Sequence, residues 1–457
     1  MADQPPQTDA RNGSDASLPD SGASPWASPL GRWLRGLIDD STTVLPSLSS
    51  VIETARRELE RSSALGVLFV RFEQWGLAVE MFGWRDLQKV YELGSGIAMD
   101  MVGDGLRQVD LPADLGLRGE GFAIVLSGPR QAARLEVDVV DMVAERVASL
   151  VRERLAGNLA PELLERISVE VGAGMVFRPG TDETLEDALV AGLVTADSEA
   201  RRKQDEHLLE LGDRLEEVIE EGRIVPLFQP VADVESQRIV AFDAQIQGPF
   251  YLNLRLGDVL LDVAARTGLR HRVLDLYHHR ALESAEDGVG GVELLILRAA
   301  SSDLLESAVR VLSLLYRRGA ARMTPANVLF MVDAAELADR FPTGLAVWHS
   351  VADMGFRLGV DLAPNRPLPL DYIRELRPYL IRVSGRNVRA LHRHQDEFEF
   401  LLMLCRFAAR GDMHVLAADC TDRREFVALR RAGVSYLQGE FVAPCFTSPV
   451  RPELTLP

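Results

Sequence analysis

Apolar residues fall along this chain in two rhythms, and the switches between them mark its elements. A weakly amphipathic helical pattern runs near residues 47–62. LGVLFVRF (65–72) then reads as a strand, because the run is β-rich, apolar and too short for a helix. GFAIVLSG (121–128), directly after a glycine-containing turn, reads as a second strand. Across roughly 129–155, Val137, Val140, Val143, Val147 and Val151 recur at spacings of three and four, which predicts a long helix with one apolar face. ISVEVGAGMVF (167–177) alternates as a strand should, and LEDALVAGLVTADSEARRKQ follows as a helix. Strands alternating with helices predict an α/β domain over 56–198.

From about 196 to 221 the pattern stays helical, with Leu208, Leu211, Leu215 and Val218 repeating on one face and charged residues on the others. Residues 199–222 therefore read as a linker helix. Either it packs on its own domains or it dimerises the protein, which leaves a homodimer open. Beyond it, IVPLFQPV, RIVAFDAQIQ, ELLILRA, NVLFMVD, RLGVDLA, YLIRVSG, HVLAADC and YLQGEFVA recur as short apolar runs. Helical patterns at 256–266, 270–286, 303–318, 334–354, 387–410 and 421–432 separate most of them. Eight strands with intervening helices over 223–457 predict a closed (β/α) barrel, whose chemistry sits at the C-terminal strand ends.

Composition narrows the classes. Hydrophobic residues make up 47% of 457, enough for packed cores, and the length exceeds one core. The net charge of -18 opposes nucleic acid or an anionic membrane as a partner. No apolar stretch approaches a membrane span, and the start lacks a basic-then-apolar leader pattern. Cys405, Cys420 and Cys445 show no metal spacing, which suits a reducing cytoplasm. Residues 1–55 read as a disordered tail, rich in Pro and Ser, with a leading helix; Trp26 and Trp33 in the tail suggest either loose docking or a partner-binding motif.

Ordered segments then carry a resemblance. LFQPV (227–231), IVAFDAQIQG (239–248), NVLFMVD, RLGVDLAP, YLIRVSGRNV and YLQGEFVAP (436–444) are similar, in order, to the motifs of the EAL family. Those proteins are cyclic di-GMP phosphodiesterases built on a (β/α) barrel. LGLRGEGFAIVL (115–126), with Arg118, Gly119, Glu120, Gly121 and Phe122 at the signature position, resembles the hairpin of the GGDEF family of diguanylate cyclases. The resemblance thus implies a GGDEF-like α/β sandwich domain followed by an EAL-like barrel.

It also implies where the chemistry should be, and most of that chemistry is missing. Two-metal hydrolysis of a phosphodiester needs clustered carboxylates. By resemblance, the family's name-giving Glu falls on Asp243, its phosphate-contacting Arg on Gln247, and its Asn ligand on Leu297 or Arg298. The next Glu falls on Phe330, the Asp pair on Asp361 and Leu362, the Lys on Arg382, and the last Glu on Ala418. Gln229, Asp361 and Gln438 match outright. Asp243, Asp333 and Asp361 are read as solvated strand-end residues. In the first domain the resemblance places Arg71 where a metal-binding Asp belongs, and Arg107–Asp110 gives a chance echo of a product-binding pattern.

The expectation is a bacterial, cytoplasmic protein without catalytic residues, metal or cofactor. Its leading role is regulation of a cyclic di-GMP-linked process through a protein partner. One alternative is a cyclic di-GMP receptor using a vestigial pocket of Gln229, Asp243, Gln247, Asp333, Asp361, Arg382 and Gln438. The other is a weak phosphodiesterase. His278 and His279 fall on a predicted helix that faces solvent or packs.

Overall fold

The computed structural model describes residues 45–454, apart from 63, 75–77, 104, 116–120, 129–134, 181–182, 253, 286–287, 290–292, 318–322, 363–367, 386–387 and 390. The tail with Trp26 and Trp33, and Arg118, Gly119 and Glu120, lie outside the described residues.

The first half opens with α1 (Leu48–Ser62), β1 (Ala64–Gln74), α2 (Ala78–Asp100), β2 (Leu111–Ala113) and β3 (Gly121–Leu126). It continues with α3 (Val137–Asn158), β4 (Ile167–Phe177) and α4 (Leu185–Glu220). Its four strands form one antiparallel sheet in the order β2-β3-β1-β4. β1 is buried on both faces, which is why its sequence reads as a continuous apolar run. Leu68, Val70 and Phe72 join the core that includes Val140, Val147 and Val151 of α3, whereas Leu65 and Val67 pack with Leu185 and Leu189 of α4.

Two departures from the pattern have physical causes. α2 was not anticipated, because Gly94 and Gly96 interrupt its helical reading. Gly94 is there for contact: a Cβ on it would lie 2.5 Å from Phe72 Cζ. Val137 is 55% exposed at the start of α3, so the valine stripe is buried only from Val140 onward.

The second half contains β5 (Val225–Asp233), β6 (Ile239–Gln247), α5 (Gly257–Arg266), α6 (Arg270–Ala285), β7 (Leu294–Ala299), α7 (Leu304–Arg317) and β8 (Val328–Asp333). There follow α8 (Ala334–Asp339), α9 (Thr343–Asp353), β9 (Arg357–Leu362), α10 (Leu370–Leu376), β10 (Leu380–Val383), α11 (Gln395–Arg410), β11 (His414–Ala417), α12 (Arg423–Ala432) and β12 (Tyr436–Leu437). The eight strands close as β10-β11-β12-β5-β6-β7-β8-β9. β5 runs antiparallel to both neighbours and the other pairs are parallel. Only five residues separate β5 from β6, too few for a parallel crossover, so these two strands must form a hairpin. The predicted helix over 334–354 is two helices, broken at Pro342, which cannot donate a helical hydrogen bond.

α4 belongs to both halves. Thr184 caps it, accepting from Asp187 N while Thr184 N donates back to Asp187 Oδ2 at 3.1 Å. Its first half lies against β4 at backbone distance: Cβ atoms on Gly172 and Gly174 would meet Ala196 O at 1.9 Å and Gly192 O at 2.2 Å. In its second half, Leu211, Leu215 and Val218 are buried in the barrel's outer core. The apolar stripe of residues 199–222 is therefore covered within the chain, as the reading of a helix packed on its own domains expects.

Candidate functional site

Alternation along each barrel strand sorts its side chains into two sets. Phe228, Phe242, Leu297, Phe330, Leu362 and Val383 face the surrounding helices. Val231, Ala241, Ile296, Met331, Leu380 and Leu416 pack inside the barrel as a separate cluster. Residues two positions further along these inner rows carry polar side chains to one end of the lumen. These are Gln229, Asp243 and Gln245, followed by Arg298, Asp361, Arg382 and Gln438. β5 enters that end in the opposite direction, so Gln229 comes before its inner apolar residue.

These side chains bind one another. Arg382 donates through Nη1 to Asp243 Oδ2 at 3.2 Å and through Nη2 to Asp361 Oδ2. Arg298 Nη2 reaches the same Asp361 oxygen at 3.5 Å. Gln438 Nε2 donates to Asp243 Oδ2 at 2.8 Å and to Gln229 Oε1 at 2.9 Å, and Gln245 Nε2 donates to that Gln229 oxygen at 2.8 Å. Gln229 Nε2 in turn donates to the Ala443 carbonyl at 3.2 Å. Gly439 fixes the turn after Gln438: its φ is +137°, and a Cβ there would lie 2.3 Å from Cys420 O.

Electrostatics follow from this packing. Burial opposes the charge on Arg382, but Asp361 and Asp243 outweigh it and hold its pKa above the ordinary arginine value. Burial likewise penalises the Asp361 carboxylate, and Arg382 with Arg298 overcomes this, so its pKa lies below the usual Asp range. The guanidinium thus bridges the two carboxylates. A hard divalent ion needs several oxygen ligands. Here it would find two acids already paired to a fixed cation, and among the described residues no three His, Cys, Asp or Glu side chains form a metal-holding group. The donor set does not fit such an ion.

The residues read from sequence meet different fates. Gln229, Asp243, Asp361, Arg382 and Gln438 come together. Asp243 is buried, the Asp361 side chain is 13% exposed, and both are ion-paired rather than solvated, which corrects that expectation. Asp333 is also drawn in: its Oδ1 caps α8, accepting from Ala335 N at 2.7 Å and Glu336 N at 3.1 Å. Burial, with Asp361 nearby, pushes its pKa up. Gln247 stands at the end of β6, and its side chain has no partner among the described residues. Phe330 points away from the lumen, where Met331 is the inner residue, and of Leu297 and Arg298 it is Arg298 that faces inward.

Gln245 is not among the candidates read from sequence, and Arg298 enters there only as one of two placements for the family's Asn. Counting inner positions from Ile296 finds Arg298, and counting from Asp243 finds Gln245. His278 is buried, not solvent-facing: it donates from Nε2 to the Arg298 carbonyl at 2.8 Å and meets Phe330 edge-on. Burial lowers its pKa to about 4.

In the first half, Gly121 and Phe122 lie in β3, with Phe122 fully buried and Gly121 opposite Arg71. Arg71 pairs with Asp197 at 3.0 Å and donates to Gln204 Oε1 at 3.1 Å, both on α4. Asp110 accepts from Arg107 N at 2.7 Å and Ser127 N at 3.0 Å, a buried turn anchor.

The model of the EAL domain family matches residues 213–445, just over half of the chain. No curated protein matches it. Solved structures with a similar fold include the FimX EAL domain of Xanthomonas citri in complex with c-diGMP, 14% identical with a TM-score of 0.46, covering 54% of this chain and 96% of that one. The PaMucR phosphodiesterase in a c-di-GMP complex is 16% identical with a TM-score of 0.47, covering 52% and 97%. The FimX EAL domain of Pseudomonas aeruginosa bound to c-di-GMP is 14% identical with a TM-score of 0.46, covering 54% and 99%.

Proposed function

The chain belongs to the EAL domain family, and from that premise we propose that it is a non-hydrolytic regulatory protein of a bacterial cyclic di-GMP-linked pathway, acting in the cytoplasm through a protein partner. One observation carries the reading: the Arg382 guanidinium lies between Asp243 and Asp361, where a phosphodiesterase would need a divalent ion. Arginine does not surrender its proton near neutrality, so it can neither vacate that position by titration nor serve as a base. On this reading the first half is a GGDEF-like domain that has also lost its chemistry. Arg71, at the position of a metal-binding Asp by resemblance, is tied to α4 by Asp197 and Gln204. Among the described residues no helix is long and apolar enough to cross a membrane.

The test is product analysis. Purified protein incubated with cyclic di-GMP in Mg²⁺ or Mn²⁺, and separately with GTP, is expected to return both nucleotides unchanged. Linear dinucleotide, formed by the wild type and lost on Asp361→Asn, would overturn the proposal.

A second reading, cyclic di-GMP binding without hydrolysis, has its own observation. Gln438 Oε1 is buried without a partner among the described residues, and the Arg298 side chain is 33% exposed beside Asp361. An acceptor and a cation so placed suit a guanine N–H and a phosphate. Calorimetric binding that survives chelation and is lost in Arg298→Ala would move the protein to that class; no heat leaves the partner-binding role.

A further inference from the structure

A second polar recess lies away from the barrel lumen. The start of β4 with the residues just before it, the middle of α4, and the connection from β6 into α5 line a cleft of about 230 Å³. None of the residues of the Arg382 network lines it. Leu211 and Leu254 form apolar walls, and Tyr251, 59% exposed, stands among its lining residues.

The polar lining is unevenly satisfied. Glu165 Oε1 is engaged by Arg255 at 3.1 Å, but Glu165 Oε2 and Ser168 Oγ are buried with no hydrogen-bond partner among the described residues. Leaving such atoms unpaired away from water is costly, so two beside one cleft call for something that supplies donors. Arg214, exposed on α4, has no ion-pair partner among the described residues. Because Arg255 already balances Glu165 and His207 has an interaction of its own, the cation that the lining offers to an anion is Arg214. A ligand matching this lining offers neutral N–H groups to Glu165 and Ser168, an anionic group to Arg214, and an apolar or aromatic body between them.

We propose that this cleft binds a small organic anion bearing neutral N–H donors. Both halves of the molecule contribute walls, so occupancy stabilises their present arrangement. Two sources share this chemistry, a purine monophosphate and an acylated amino acid, and the experiment separates them. The full chain is titrated calorimetrically with inosine 5′-monophosphate and, separately, with N-acetyl-L-phenylalanine. One of them is expected to bind with unit stoichiometry and to raise the unfolding temperature. Affinity should fall about tenfold or more in Arg214→Ala, whose site is exposed and whose fold is checked by circular dichroism, and should also fall in Ser168→Ala. Excess cyclic di-GMP should not displace the anion, which keeps this result separate from any binding at the barrel lumen. No binding of either anion, or binding that both variants leave undiminished, overturns the proposal.

Discussion

Arg382 shows how one side chain decides the character of a site. Its nitrogens reach carboxylates from β6 and β9, so removing it leaves the buried Asp243 without its cation and Asp361 with only Arg298 at 3.5 Å. Arg382→Met is expected to lower stability at pH 7 by about 3–5 kcal/mol, the usual cost of breaking a buried pair, as measured by urea unfolding. Asp361 sets the acid side. Its folded pKa is depressed, so its contribution is present above the ordinary Asp value of about 3.9 and is lost as pH falls through the folded value. His278 acts higher on the scale. Buried neutral with a pKa near 4, it binds a proton in the unfolded chain from about 6.5 downward, so stability declines as pH falls from 6.5 to 4 and levels off below. His278→Phe should flatten that stretch of the stability–pH curve, and an unchanged slope would show that other groups cause it. Much of this network was legible as chemistry: Gln229, Asp361 and Gln438 stood in recognisable motifs. Arg298 was not, because a one-residue uncertainty in register sends a side chain to the opposite face, and only the ladder with β8 fixes it.

Elements were legible where periodicity spoke and obscure where contact between backbones decided. All eight barrel strands stand out as apolar runs, and β4 reads correctly to the residue. The glycines of β4 and α4 do not explain themselves in sequence; they are small because strand and helix backbones touch. Gly174→Ala would drive a Cβ to 2.2 Å from Gly192 O, and the helix must shift to admit it. The expected loss is about 1–3 kcal/mol or more. Gly96→Ala provides the contrast. It lies inside α2, its Cβ would meet nothing within 4 Å, and the substitution should stabilise by about 0.5–1 kcal/mol. Thermal unfolding of the two variants must move in opposite directions. If both destabilise, close packing at Gly174 is not what distinguishes them. β4 is also an edge strand, and two of its carbonyls are occupied by side chains: Arg152 Nε donates to Val169 O and Lys203 Nζ to Val171 O, both at 3.0 Å. Long cations laid on an exposed edge keep it from pairing with another chain.

At the scale of the molecule, the sequence pattern divides into an α/β region, a helix and a barrel, and residues 43–457 form one compact unit. α4 is a shared structural member, held to the sheet by glycine and alanine contacts and to the barrel by Leu211, Leu215 and Val218. Ion pairs reinforce the junction. Arg166 grips Asp258 through two hydrogen bonds of 2.8 and 3.0 Å with both side chains largely buried, and Arg266 meets Glu73 at 2.8 Å. A charge-assisted fork of this kind adds geometric specificity as well as energy. Unfolding of either half would strip α4 of one of its two supports, so heating should melt both halves in a single calorimetric transition. Asp205 lies on the exposed side of α4 near its middle, and proline there removes a helical hydrogen bond at a cost of about 3 kcal/mol. Asp205→Pro combined with Arg166→Met should separate the transition into two while each half keeps its own circular dichroism signature. A single transition persisting in the double variant would mean that the remaining interface, including Arg255 with Glu165, couples the halves without the continuous helix. A split already present in the wild type would mean that α4 and its ion pairs do not couple the unfolding of the two halves.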